Sequence, residues 1–446
     1  MKIENVESQE TVEHYQGRLS SELEMICTPA NPRKKCAVFS HNLERNGANK
    51  FLLNLLEGLS EDLEFEIFSP ISGPIEQDFR ERGLPTHILK TEDGEDLKKR
   101  LKESQRFDLA IISTIMLAHV VLICEQLSIR NIWVIHEMWP RQNFGYYANG
   151  IVLMSNGVDG EEENQKNEKQ IFPLSRFSPY QDIIKAFAKA NRVVFPSQAQ
   201  HKLYENLFTK EKAAVIYNGI PTEPIDTFKV SLSQAEARKD LGYQQDDAII
   251  LHIGTVCQRK AQKLTLSAFA KFCQDNEAAA RNAKLLIVGA RYLRKNEIQY
   301  LNELKADIRD KGLESKVEIV KIERTVWPYY LAADVVVCPS LNDTIPLVIG
   351  EAMACERPVI ASEIGGIPEA LKHGHEGLLI PRGDVSALAS DIEKLLKNEQ
   401  LRFQMGQWGR RRILKQFSFD QMVSKYRQVI AAVCPECCSI GCQIND

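Results

Sequence analysis

The chain has 446 residues, a length that predicts two or three domains. Of these residues 44% are hydrophobic and 26% are charged, which is typical of a soluble globular protein. The formal net charge of −4 argues against nucleic acid as the main partner, because proteins that bind it usually concentrate positive charge on one surface. The polar N-terminus does not predict a secretory signal, and no apolar run approaches the ~18 residues of a membrane-spanning helix. We expect a cytoplasmic protein and leave open a peripheral contact with the inner membrane face.

The first half of the chain alternates between short apolar strands and helices. Residues 1–34 are polar and predict a poorly ordered arm. Strands are then predicted over 36–40, 63–69, 108–113, 131–136, 192–196 and 214–217, with helices over 51–59, 115–127 and 179–190 and a mobile loop over 155–170. This alternation predicts a parallel sheet with helices on both faces.

A turn at 218–221 and a polar stretch over 222–246 separate this half from a second one of the same kind. Strands are predicted over 249–254, 284–289, 316–320, 334–338 and 357–361, with helices over 261–274, 294–311, 347–355, 384–397 and 399–431. The fold class is therefore α/β, with two doubly wound, Rossmann-like parallel-sheet domains. Because ligands of such sheets bind at the carboxyl ends of the strands, the expected site is the cleft between the domains.

Two carboxylates mark the most informative segment. A strand ends at Pro339, a loop carries Asp343, and Glu351 follows eight residues later on a helix that Pro346 is suited to begin. The free N–H groups of a helix start attract phosphate oxygens, and a carboxylate at Glu351 can accept hydrogen bonds from a ribose diol. The alternative is that Asp343 caps the helix and Glu351 is a surface carboxylate.

This segment resembles the signature of the retaining GT-B glycosyltransferases of family four, the glycosyl transferases group one. That family usually carries two glutamates at these positions, so Asp343 is a departure that shortens one side chain. The resemblance covers about residues 36–430 and is strong from 249 to 396. It implies an acceptor-binding domain over 35–220, a donor-binding domain over 221–409, and a final segment over 410–446 whose helix returns to the first domain.

A basic pair after a glycine turn matches the loop that meets the donor diphosphate in that family. Lys260 matches the family lysine, whereas Thr255 stands at the position of the family arginine, so Arg259 is the candidate for the missing cation. Two cations beside the turn at Gly254 would neutralise a departing phosphate. The alternative is a solvated loop.

Two positions in the first domain match the family as well. His136 follows a strand and resembles the cleft histidine, and Gly47 resembles the glycine turn after the first strand, which lets the backbone approach a substrate. The alternatives are a buried structural histidine and an ordinary turn. Gly365 and Gly366 match a later family loop, and Glu369 opens the helix that follows.

The resemblance implies a metal-independent transfer of a hexose-type sugar, with retention, from a nucleoside diphosphate sugar that we expect to be UDP-linked. The implied catalytic residues are His136, Lys260, Arg259 and Asp343, and the implied donor-binding residues are Gly47, Gly254, Thr255, Arg259, Lys260, Asp343, Thr344, Ile345, Pro346, Leu347, Val348 and Glu351. No metal and no cofactor is expected. The acceptor is unidentified and could be a glycan, a lipid-linked molecule, a protein or a small molecule. The alternatives are a nucleotide-sugar-binding protein or an epimerase on the same fold.

Two features stand apart from this site. Of the eleven cysteines, Cys36, Cys124, Cys338 and Cys355 lie in or beside apolar runs and are expected to be buried and reduced. The tail cysteines Cys434, Cys437, Cys438 and Cys442 are closely spaced and could hold zinc, form disulfides or do neither. A basic cluster at 410–412 and Lys415 predicts either a solvated helix face or a contact with an anionic lipid or acceptor.

Overall fold

The structure is a computed structural model that describes residues 33–89, 94–104, 107–141, 144, 180–321 and 324–437. The predicted mobile loop, most of the N-terminal arm, and Cys438 and Cys442 lie outside these residues. None of the helices described within these ranges combines the length and the apolar character needed to cross a membrane.

The first domain is built on a parallel sheet. Its strands, β1 to β7, have the spatial order β3-β2-β1-β4-β5-β6-β7. They span Lys34–Ser40, Leu63–Ser69, Thr86–Ile88, Leu109–Ser113, Arg130–Val134, Arg192–Phe195 and Ala213–Val215. Every residue of β4 is buried, as expected of a strand covered on both faces. The short edge strand β3 has too weak an apolar pattern to be predicted, and β1 begins at Lys34, inside the predicted arm.

The helices of the first domain cover both faces of this sheet. They span Gly47–Gly58 (α1), Ile75–Glu81 (α2), Gly94–Ser104 (α3), Ala118–Gln126 (α4), Tyr180–Lys189 (α5) and Gln198–Tyr204 (α6). Helix α1 buries Phe51, Leu52, Leu55 and Leu56 on one face, and the Asn46 side chain caps it by accepting from the Asn49 N–H. This cap fixes where the helix begins, directly after β1 and beside the cleft.

The second domain repeats the architecture. Its parallel sheet has the order β10-β9-β8-β11-β12-β13, which is the doubly wound order of the first domain. The strands, β8 to β13, span Ala248–Ile253, Ala283–Ala290, Val317–Lys321, Val335–Cys338, Val359–Ser362 and Gly377–Ile380. The predicted fold class, two Rossmann-like parallel-sheet domains facing a cleft, is thereby confirmed.

The helices of the second domain begin earlier than the sequence predicts. Helices α7 (Glu223–Ser231) and α8 (Gln234–Asp240) occupy the polar stretch that we expect to separate the domains. A capping box between Ser233 and Glu236 begins α8, and this short-range polar signal lies in a stretch with too few apolar residues to show a helical period. The remaining helices, α9 to α15, span Gln262–Asp275, Glu277–Ala280, Lys295–Asp310, Trp327–Ala332, Leu347–Ala354, Ile367–Ala370 and Val385–Leu396.

The chain returns to the first domain through its last helix. Position 410, where we expect the returning segment to begin, lies inside α16 (Glu399–Gln416), and the return is made by α17 (Phe419–Val433). The predicted single helical run is broken where Phe417 and Ser418 leave the helix, and the Ile220 N–H donates to the Phe417 carbonyl at 2.9 Å. Both connections between the domains therefore lie side by side. Met422, Val423, Tyr426 and Ile430 of α17 then join the first domain's core.

The basic cluster and the cysteines have structural surroundings. Arg410 pairs with Asp226 at 2.6 Å, and Arg412 donates to the Glu369 carbonyl at 2.8 Å, so these two arginines do not form a solvated face. Cys434 and Cys437 are buried and joined as a disulfide, which removes both sulfurs from a metal site in this form. Cys36, Cys124, Cys338 and Cys355 are buried free cysteines, as predicted.

Candidate functional site

A cavity of about 1290 Å³ lies between the domains, at the carboxyl ends of both sheets. Its walls come from the loops after β1 and β5 of the first domain and from the loops after β8, β9 and β11 of the second. All the predicted site residues line it: Gly47, His136, Gly254, Thr255, Arg259, Lys260, Asp343, Thr344, Ile345, Pro346, Leu347, Val348 and Glu351. The doubly wound topology explains this convergence, since each of these loops leaves a strand at the same edge.

The two predicted cations meet at Asp343. Lys260 donates to the Asp343 carboxylate at 2.6 Å and Arg259 donates to the same oxygen at 2.8 Å. Burial alone would raise the pKa of Asp343, but Arg259 and Lys260 outweigh it and lower the pKa to about 2. The carboxylate is therefore ionised at neutral pH and holds both cations at the cleft wall.

Glycine conformations shape the loops that carry this trio. Gly254 has φ of +140°, which few other residues adopt, and it turns the chain from β8 toward the Gln258–Lys260 turn. Gly365 has φ of +51°, and a Cβ atom there would lie 2.0 Å from the Asp343 carbonyl oxygen. Because Gly365 has no Cβ atom, its loop packs directly against the loop that carries Asp343. Thr255 lies at the cleft and uses its carbonyl to accept from Gln262 at 3.1 Å.

Helix α13 points its N-terminus into the cavity. Pro346 precedes its first residue, and in the described part of the chain no side chain caps the helix by a hydrogen bond. The first N–H groups, from Leu347 and Val348, therefore remain available to an anion, aided by the helix dipole. Gly47 faces this point from the other domain, where an added Cβ would lie 4.0 Å from the Leu347 side chain.

Glu351 is buried, and both of its carboxylate oxygens accept hydrogen bonds. One carboxylate oxygen accepts from Lys50 of the first domain and the other accepts from the Tyr330 hydroxyl at 2.7 Å. The Glu351 side chain is only 6% exposed, so the alternative of a surface carboxylate is wrong. Burial, followed by the charge of Glu351, raises the pKa of Tyr330, which remains a neutral donor.

His136 lies on the opposite wall, after β5. Its Nε2 atom is 3.2 Å from the Ser113 hydroxyl, and its ring meets Phe51 edge-on at 5.1 Å. Burial lowers the pKa of His136 to about 4. The imidazole is therefore neutral at pH 7 and can exchange hydrogen bonds with a sugar hydroxyl, but it is a poor source of protons.

Glu137, which the sequence did not single out, stabilises the cavity wall that carries His136. Its carboxylate accepts from the Thr114 hydroxyl, from the Ile115 N–H at 2.9 Å and from the His136 N–H at 3.1 Å. Burial raises the pKa of Glu137 and these donors oppose the rise. Thr114 has φ of 106°, so the carboxylate holds a strained residue in place.

Other cleft residues were also missed. His41 directly follows β1, where the rule that selected His136 would have found it, and burial lowers its pKa to about 3. Trp327 begins α12 and lines the cleft, but aromatic residues at helix starts carry no distinctive signal. Lys50 could not have been recognised, because its partner Glu351 is 301 positions away in sequence. Among the described residues, no group of three or more metal-ligand side chains is placed to hold an ion.

Comparison with known families gives two adjacent matches. Residues 45–224 match the model described as Glycosyltransferase Family 4, and residues 233–412 match the one described as Glycosyl transferases group 1. Together the matches cover most of both domains and every predicted site residue.

Curated relatives match over part of the chain. An N-acetyl-alpha-D-glucosaminyl L-malate synthase from Bacillus anthracis is 29% identical over 202 residues, which is 45% of this chain and 49% of that protein. A D-inositol 3-phosphate glycosyltransferase from Geodermatophilus obscurus is 31% identical over 201 residues, 45% of this chain and 44% of the relative. The chain thus spans about half the length of the curated relatives it matches.

Solved structures share the fold over nearly the whole chain. Anabaena HepE in complex with UDP and glucose has a TM-score of 0.71 at 18% identity, covering 90% of this chain and 100% of that one. Sucrose-phosphate synthase from Thermosynechococcus elongatus has a TM-score of 0.70 at 21% identity, with the same coverage. At these identities the likeness establishes the two-domain architecture.

Proposed function

The chain belongs to glycosyltransferase family four, the glycosyl transferases group 1, and on that premise we propose that it is a retaining glycosyltransferase. It moves a hexose-type sugar from a nucleoside diphosphate sugar, UDP-linked by preference, to an acceptor bound by the first domain. The solved HepE complexes contain UDP, glucose or UDP-glucose, which favours the same donor class here.

One observation carries the proposal. Lys260, Arg259 and the uncapped start of α13 face one cavity between two doubly wound sheets. Two cations and a helix N-terminus form a site for a strongly anionic group, and a nucleoside diphosphate is the leaving group that needs such stabilisation.

The residues divide the work as follows. Lys260 and Arg259, together with the N–H groups of Leu347 and Val348, stabilise the diphosphate as its bond to the anomeric carbon breaks. Glu351 accepts hydrogen bonds from the ribose. Asp343 holds the two cations in the free protein and accepts from donor-sugar hydroxyls once the phosphate takes over the cations.

The first domain supplies the acceptor side. The acceptor oxygen bonds to the anomeric carbon on the same face from which the diphosphate leaves, and this accounts for retention. The proton of the acceptor hydroxyl passes to the departing phosphate oxygen. Neutral His136 orients the sugar by hydrogen bonds. The cations supply the positive charge that the leaving group requires, so the proposed transfer needs no metal ion.

A thermal-shift screen with nucleoside diphosphate sugars, followed by transfer assays, tests the proposal. A donor at a hundred times its Kd stabilises the fold by about 2.7 kcal/mol, so the cognate donor should stand out by its rise in Tm. Transfer to an acceptor with retention supports the proposal. Isomerisation of the donor alone, binding without transfer over a broad acceptor panel, or no response to any donor would each refute it.

A further inference from the structure

Lys50 belongs to the first domain, yet its ammonium group lies against the second. It stands in the first turn of α1 and forms an ion pair with Glu351 of α13. The same nitrogen lies 4.9 Å from the centre of the Trp327 ring, a distance typical of a cation–π contact. One ammonium group therefore contacts a buried carboxylate and an aromatic face at once, which shows that both face the same volume.

The Glu351 carboxylate and the Trp327 ring are groups that can bind the two halves of a nucleoside. A ribose diol donates to a carboxylate, and a base stacks on an aromatic ring, a contact worth about 1–3 kcal/mol per base. Trp327 lines the cavity beside Thr325 and Val326, and part of its ring packs on the second domain's core. Packing on the core fixes the ring in one orientation, which suits it to stacking.

We infer that Trp327 completes the nucleoside-binding part of the donor site beside Glu351, the carboxylate already proposed to bind the ribose, and that Lys50 occupies this part in the free protein. The inference rests on the proposed function for the identity of the ligand. A nucleotide must displace the Lys50 ammonium from both partners before its ribose and base can bind. Because only the displaced form is competent, the apparent affinity for a nucleotide is lower than the intrinsic one.

The rest of the interface does not depend on Lys50. Glu44 of the first domain pairs with Arg291 of the second at 2.7 Å, and Asp78 pairs with Arg324 at 2.8 Å. Removing the Lys50 charge therefore leaves other ion pairs across the cleft, and its effect on nucleotide binding can be measured in a protein whose domains are still joined.

Calorimetric titration with two probes, UDP and inorganic pyrophosphate, separates the nucleoside part of the site from the phosphate part. The variants are Lys50→Met, which keeps the apolar stem, and Trp327→Leu, which removes the stacking face. Lys229→Met is the matched control, because it removes an ammonium group that pairs with Glu356 at 2.5 Å and does not line the cavity.

Lys50→Met should bind UDP about 5-fold more tightly than the unmodified protein, with no change for pyrophosphate. Trp327→Leu should bind UDP about 10-fold more weakly, again with pyrophosphate unchanged, and Lys229→Met should change neither. Unchanged or weaker UDP binding by Lys50→Met, or an equal gain for both probes, would overturn the inference. Failure of the proposed donor site is distinct, since neither UDP nor pyrophosphate would then bind any of the four proteins.

Discussion

Lys260 and Asp343 come from loops after two neighbouring strands, and their side chains meet at 2.6 Å with each only 12% exposed. Strand β8 leads to Lys260, and β11, its neighbour in the sheet, leads to Asp343. In the free protein the Asp343 carboxylate therefore neutralises the positive charge of Lys260 at the cleft wall. In the proposed reaction the donor diphosphate replaces the carboxylate as the partner of Lys260.

Lys260→Ala should lower the rate of transfer on the order of 100-fold, because a fixed positive charge next to the departing diphosphate is lost. Lys263→Ala is the control, since Lys263 lies three residues further on and pairs instead with Glu303 and Asp307. Initial rates at saturating donor would decide the matter. A near-normal rate for the Lys260 variant would show that this cation has no part in the chemistry.

Asp343→Asn should separate binding from catalysis. Because the pKa of Asp343 is about 2, the substitution adds one unit of positive charge to the site at neutral pH. UDP should bind about 3-fold more tightly, while transfer should slow by at least ~10-fold as the contact with the donor sugar is lost. Weaker UDP binding together with an unchanged kcat would contradict both assignments.

Glu351→Gln should weaken donor binding by about 10-fold, because an amide accepts hydrogen bonds from the ribose less strongly than a carboxylate. Glu356→Gln is a suitable control, since Glu356 follows the same helix but pairs with Lys229 at 2.5 Å and does not line the cavity. Titration of UDP into both variants gives the comparison. Undiminished affinity in the Glu351 variant would remove the reason for placing the ribose there.

The architecture follows from local patterns in the sequence. Strands such as β4 and β11 are short and mostly apolar, and a helix follows each, which is enough to predict doubly wound parallel sheets. The topology then places residues that follow strands, such as His136 and Asp343, at one edge. The alternation of strands and helices does not single out Lys260, which was assigned to the site by the family resemblance. The structure brings all three residues to one cavity.

What could not be predicted depends on contacts between distant parts of the chain. Lys50 reaches Glu351 only because the two domains face each other, and the alternation of strands and helices says nothing about that approach. Glu137 acts through hydrogen bonds to residues 114, 115 and 136, which a lone acidic residue after a strand does not predict. The helix boundary at Phe417 depends on contacts with residues 219–220, which the helical pattern of 399–431 does not reveal.

Stability should fall as the pH falls below about 6.5. Burial lowers the pKa of His136 to about 4, and those of His41 and His252 to about 3, so the unfolded chain takes up protons between these values and 6.5 while the folded protein does not. As the pH falls through that window, each histidine lowers the free energy of unfolding by up to about 1.4 kcal/mol per pH unit, and it has no such effect above the window.

Denaturant titrations from pH 5 to pH 8 measure this slope. His136→Asn should flatten the slope by up to one proton, because the variant lacks the imidazole that the unfolded chain protonates. An identical slope in the His136 variant would show that this imidazole is protonated in the folded protein.

A crystal structure of the protein with bound UDP is the most direct test of the central claim. The account predicts diphosphate oxygens within hydrogen-bonding distance of Lys260 and of the N–H groups of Leu347 and Val348, with the ribose on Glu351. A diphosphate bound away from Lys260 and from the start of α13 would contradict it.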